Sequence, residues 1–137
     1  MKRSEILRKL GFTVPEIKKK RVIIVSDIKC EADDPFAIVH HLLTPCIEVK
    51  GIIATHFEWR YIHIEKLKPQ RGTSMERSYE EGKKILELME IDDVPLFKGS
   101  RYELANEENL PESPGADFII EEAMKEDDMP LYVALQG

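Results

Sequence analysis

Four carboxylates crowd one short stretch of this sequence, Asp-Ile-Lys-Cys-Glu-Ala-Asp-Asp: Asp27, Glu31, Asp33 and Asp34. Acids this close repel one another. A folded loop tolerates them if they are solvated, share a proton, or surround a cation. Hard cations such as Ca²⁺ and Mg²⁺ take oxygen ligands, and carboxylates are the usual protein source. A plainer use is open as well. Asp33 would cap a helix, Asp34 would favour its positive end, and Glu31 would be solvated. Asp27 fits that use least, because it sits at the end of the most hydrophobic strand candidate.

The elements on either side decide where the acids point. Val22-Ile23-Ile24-Val25 is short, β-branched and bounded by polar residues, which predicts a buried strand. After the acids, Phe36, Val39, Leu42 and Leu43 recur at helical spacing, with Pro35 at a favoured first helical position. The acids therefore occupy a strand-to-helix loop, and loops at the carboxyl ends of strands are where α/β sheets bind ligands.

The rest of the chain alternates in the same way. Ser4 to Leu10 predicts a short helix with Ser4 as its cap and Gly11 as its stop. Lys18 to Arg21 is a basic run entering the first strand, more plausibly solvated than anion-binding. Thr44-Pro45 ends the second helix, and Ile47 to Thr55 is a nearly all-apolar strand, suited to cover on both faces. His56 to Gly72 has no clean period; it holds His56, Phe57, Trp59, Tyr61 and His63. Its aromatics could stack on a base and a histidine could protonate a leaving group. Equally, the aromatics could simply pack the loop. Thr73 and Glu76 have the spacing of a capping box for a helix running to about Glu90, buried through Tyr79, Ile85, Leu86 and Met89, with Gly82 as a weak spot. Val94 to Phe97 predicts a strand and Lys98 to Pro114 a loop. Ser113-Pro114 opens a last helix through Phe118, Ile119, Ile120, Ala123 and Met124, and Leu131 to Leu135 is the last strand. This β-α-β-(loop)-α-β-α-β order predicts an α/β fold, a parallel sheet with helices on both faces.

Composition limits the function classes. The 137 residues suit one domain, and 42% hydrophobic with 34% charged residues suits a globular protein. A net charge of −6 argues against a general nucleic-acid surface. Cys30 and Cys46 follow no metal or redox spacing. No stretch is apolar for long enough to cross a membrane, and the N-terminus does not resemble a signal peptide, so a cytoplasmic setting is expected.

The stretch from Val22 to Ile38 resembles the N-terminal signature of the inosine/uridine-preferring nucleoside hydrolases, in the branch with five residues between the first Asp and the Asp-Asp pair. Val49 to Thr55, Ser74 to Leu88, Gly115 to Ala123 and Pro130 to Gly137 resemble later family segments in the same order. The resemblance implies a Rossmann-like sheet and hydrolysis of the bond between ribose and base, with bound Ca²⁺ and a water. It implies that Asp27 is the general base and a metal ligand, Asp34 the main metal ligand, and Asp33 a ligand of ribose hydroxyls. His56 is expected to contact the substrate, a small-molecule nucleoside, although family members carry Asn near this point. Glu31 matches the branch without an assignable role. Lys29 stands where the branch has Gly, and is expected to strain the turn or compete for the acids.

Family members are longer, so residues 1–137 are expected to be the N-terminal part of one such domain, truncated, inactive alone and prone to form a homo-oligomer. Two other function classes compete. One is a non-catalytic remnant of the fold. The other is a Mg²⁺-dependent phosphoryl-transfer enzyme, whose acid loop often carries two acids one residue apart; Val25 and Lys29 count against it.

Overall fold

The computed structural model describes residues 1–11, 15, 18–57, 70–106 and 108–136. Trp59, Tyr61 and His63, and any role they have toward a base, lie outside the described residues. Eight elements follow in order: α1 (Arg3–Lys9), β1 (Lys20–Ser26), α2 (Asp33–Leu43), β2 (Ile47–Ala54), α3 (Ser74–Leu88), β3 (Leu96–Lys98), α4 (Pro114–Ala123) and β4 (Leu131–Gln136). The strands form one all-parallel sheet in the order β3-β2-β1-β4. This is the Rossmann-like α/β arrangement expected from the sequence.

The order explains the layering. The chain steps from β1 to β2 to β3 in one direction and then returns across the sheet to β4. Right-handed crossovers put helices from opposite directions on opposite faces. One face accordingly carries Val22, Ile24, Ile52 and Ala54 against Ile38 and Leu42 of α2 and Ile85 and Leu86 of α3, with Ile6 of α1 at its margin. The other face receives α4. Phe118 stacks on Phe97 at 4.2 Å between ring centroids and lies over Gly51, where a Cβ would meet its ring at 2.7 Å. Gly51 lies opposite Ile23 while Val49 lies opposite Val22, so Lys50 is an extra residue bulged out of β2.

Helix α4 sits this close only because Gly115 has no side chain; a Cβ there would press into Ile53. Gly115→Ala is expected to destabilise the fold by about 1–3 kcal/mol through overpacking, measurable as a lower urea midpoint with an unchanged slope. Gly82, expected to weaken α3, has the same use. Its missing Cβ would come within 3.0 Å of Ile28 and 3.1 Å of Leu96, so the glycine lets helix and sheet approach.

Several sequence expectations are corrected. Helix α1 is capped from Lys2, whose N–H donates to Glu5 at 3.1 Å, and Ser4 lies inside it. Gly11 does end that helix, at φ +77°. Helix α2 starts at Asp33, with Ala32 as its cap, so Asp33 is a first-turn residue and no cap. The capping box at Thr73 does not form. The Thr73 hydroxyl donates to the Gln70 carbonyl, and Glu76 turns to Lys98 and Arg101. Phe36, Ile120 and Met124, part of the apolar patterns of their helices, are exposed. In α4 the fully buried side chain is Glu122, matched by buried Arg21 on β1. Ser113 does cap α4, accepting from the Ala116 N–H at 3.2 Å. No helix among the described residues is long and apolar enough to cross a membrane.

Candidate functional site

All four strands point their carboxyl ends to one edge of the sheet. The connection reverses direction beside β1, between β1 and β4, and this switch point is where open α/β sheets leave a crevice. The acid loop sits there. Ser26 ends β1, fully buried, and its hydroxyl donates to Asp34 Oδ1 at 3.0 Å. Asp27 follows at once, and its carbonyl accepts from the Cys30 N–H at 2.7 Å, which folds the loop back on itself. Asp34 enters from the first turn of α2 and is 5% exposed.

Asp27 and Asp34 meet, as expected. The Asp27 carboxyl is pushed up from 3.8 to about 6, first by burial and then by the negative charge of Asp34. Its Oδ1 is buried without a hydrogen-bond partner. The Cys30 thiol bonds to the same carboxyl and is itself pushed up to about 11, first by burial and then by Asp27, so it stays a neutral donor. An orphaned buried oxygen beside a second carboxylate is costly, and a proton or a cation would relieve it.

Asp33, which the resemblance assigns to ribose hydroxyls, is exposed beside this pair. Its side chain is exposed on the outer side of the first turn, because consecutive helical residues point in different directions. Among the described residues no three His, Cys, Asp or Glu side chains are grouped to hold a metal. The oxygen donors of Asp27 and Asp34 suit Ca²⁺ in kind. Backbone carbonyls and water would have to supply the rest of its usual six to eight ligands. Glu31 is exposed.

Lys29 neither competes for the acids nor strains the turn through a positive φ. Its amine reaches across to Glu81 of α3 at 2.9 Å, tying the loop to that helix. His56, just beyond β2, is half-buried with Nδ1 3.3 Å from the Ser100 carbonyl. A carbonyl only accepts, so Nδ1 carries the proton and a neutral His56 presents Nε2 as an acceptor. Sequence reasoning missed Ser26 and Cys30 as partners of the acids. The available signal was a polar residue closing an otherwise apolar strand, one position before Asp27.

The Asp27 shift makes a stability prediction. An acid whose folded value is raised favours the fold while it is protonated, and that benefit is lost as pH rises from about 3.8 through about 6. In chelator, the melting temperature should fall over this window in the native protein and stay flatter in Asp27→Asn, as followed by circular dichroism. Identical profiles would show that burial and Asp34 do not raise the Asp27 carboxyl.

Comparison with protein-family models, with curated proteins and with solved structures found no match.

Proposed function

We propose that this chain carries the water-activating part of an N-glycosidic hydrolase site acting on nucleosides. The observation that supports it most is the close pair Asp27–Asp34 at the switch point, with Asp27 Oδ1 buried and unpartnered. Breaking the bond between sugar and base builds positive charge on the ring, and carboxylates nearby favour it. Asp27 takes the proton from the attacking water, and its raised affinity for protons suits a base working near neutrality. Ser26 holds Asp34 Oδ1 in place, leaving the other oxygen of Asp34 to face Asp27 or a ligand. Asp33, exposed in the first turn of α2, has two oxygens that can accept from sugar hydroxyls. His56 Nε2 can accept from a further substrate hydroxyl or, when protonated, donate to a leaving base.

Asp27 and Asp34 would hold Ca²⁺, which would supply the charge that neutralises the pair and acidifies a bound water. The test is titration of the protein with Ca²⁺, or with luminescent Tb³⁺, beside Asp34→Asn. Saturable binding that weakens at least about tenfold in the variant is expected, one charge-assisted ligand being worth that much. Absent binding, or equal binding in both proteins, would leave the non-catalytic reading in its place.

A further inference from the structure

A cleft of about 390 Å³ opens further along the same sheet edge, beyond the end of β3. Gly99 donates to the Ala54 carbonyl at 2.8 Å, so the cleft begins where β3 and β2 end together. Its apolar wall is Met75, Tyr102, Pro111 and Pro114, and its charged lining is Lys98, Arg101 and Glu112. Neighbouring strands are about 5 Å apart, so the end of β3, where the cleft begins, lies two strands or about 10 Å from the end of β1.

Two cations and two carboxylates meet at the cleft: Lys98 and Arg101 with Glu76 and Glu112. Glu76 bonds Lys98 at 2.7 Å with one oxygen and Arg101 at 3.2 Å with the other. The Lys98 hydrogen bond, opposed by slight burial and helped by Arg101, holds that carboxyl below its usual range, so it is ionised. Glu76 stands between the two cations, and Glu112 is the second carboxylate of the cleft, so an entering anion would compete with Glu76 for Lys98 and Arg101. Glu112 is exposed and solvated. Helices α3 and α4 also begin here, at Ser74 and Pro114, and bring their positive ends. Ser113 already takes the Ala116 N–H, so α4 offers its dipole more than a free donor.

Tyr102 is placed by its surroundings. It lies across Gly72, whose φ is +77° and where a Cβ would come within 2.6 Å of the phenol oxygen. The Arg71 guanidinium lies 6.0 Å from the ring centroid. A ring or sugar entering the cleft would meet an aromatic and two prolines, while an anionic group would meet Lys98 and Arg101.

We infer that this cleft holds a phosphate of the substrate, so that the proposed site takes a nucleoside 5′-monophosphate in preference to the free nucleoside. This rests on the N-glycosidic reading above. The fork of Arg101 fits two phosphate oxygens, Lys98 adds a point charge, and the anion shares them with Glu76.

Calorimetry with inosine, inosine 5′-monophosphate and ribose 5-phosphate tests it. The native protein should bind the monophosphate at least about tenfold more tightly than inosine. Lys98→Gln and Arg101→Gln, both at partly exposed positions, should each erase much of that preference while leaving inosine binding and the melting temperature unchanged. Equal affinity for the two ligands, or a preference that survives in the double variant, would overturn the assignment. Ribose 5-phosphate should still bind to Asp34→Asn. If it binds through Lys98 and Arg101 while the acid pair takes no cation, the cleft stands and the hydrolase reading falls.

Discussion

On the N-glycosidic reading proposed above, Asp27→Asn is expected to lower nucleoside turnover by about 10²–10⁴-fold, the loss typical of a general base. The amide keeps the shape of the carboxyl but has neither its basicity nor its charge. Substrate affinity should change little, because Asp33 and His56 rather than Asp27 are assigned to the substrate. Release of reducing sugar from inosine and uridine measures the first quantity, and direct binding of nucleoside measures the second. The pH profile adds an independent check. A base whose carboxyl is raised to about 6 is mostly protonated below that value, so turnover should climb as pH rises toward neutrality. Ca²⁺ beside Asp34 would favour the ionised form and move that climb to lower pH. Near-normal turnover by Asp27→Asn would refute the assignment, whatever the pH profile.

Glu122→Ala is expected to cost about 3 kcal/mol of folding stability, the low end for breaking a buried ion pair. Glu122 is 2% exposed and Arg21 4% exposed, and they meet at 3.5 Å on the face of the sheet that α4 covers. Lys125 and Lys50 also reach Glu122, the second at 3.7 Å from the bulge in β2. Those two lysines can turn to water when the carboxylate is lost. Arg21 cannot, although it keeps the Met129 carbonyl at 2.8 Å and Asp127 at 3.4 Å. These remaining partners are why the low end applies. A urea titration reads the change, and a shift below about 1 kcal/mol would show that Arg21 is satisfied without Glu122.

The pH dependence of Glu122 has the opposite sign to that of Asp27. Burial pushes its carboxyl up, but the Lys125 hydrogen bond and the charges of Lys50, Lys125 and Arg21 outweigh this and hold it below the ordinary 4.5. A depressed acid stabilises the fold above its ordinary value, and the contribution fades as pH falls below 4.5. Asp27 and Glu122 therefore oppose each other. One costs stability as it ionises, and the other loses its stabilising effect as it protonates.

The sequence alone determined the fold class, because hydrophobic period and turn chemistry are local. Four apolar runs alternate with helical patterns, and that alternation builds a parallel sheet with helices on both faces. It also determined that Asp27 and Asp34 would share the end of β1, since one closes the strand and the other opens the next helix. It did not determine that Asp33 would be left exposed. The structure starts α2 at Asp33, two residues before the proline, and that offset turns Asp34 inward and Asp33 out. Helix starts shift easily because the first N–H groups lack intrahelical partners in any register.

The charged pairings were decided by the tertiary structure alone. Glu76 had the local spacing for a capping box with Thr73, but Lys98 and Arg101 arrive from β3 and the loop after it, and two cations outcompete one backbone N–H. Lys29 was expected to crowd the acids, and Glu81 on α3 takes it instead. Glu122 lies in a stretch of acids on α4 and has the look of a solvated residue. Its burial depends on Arg21, 101 positions away, and on the bulge that brings Lys50 beside it. Contacts of that range follow from how layers stack, and no local pattern encodes them.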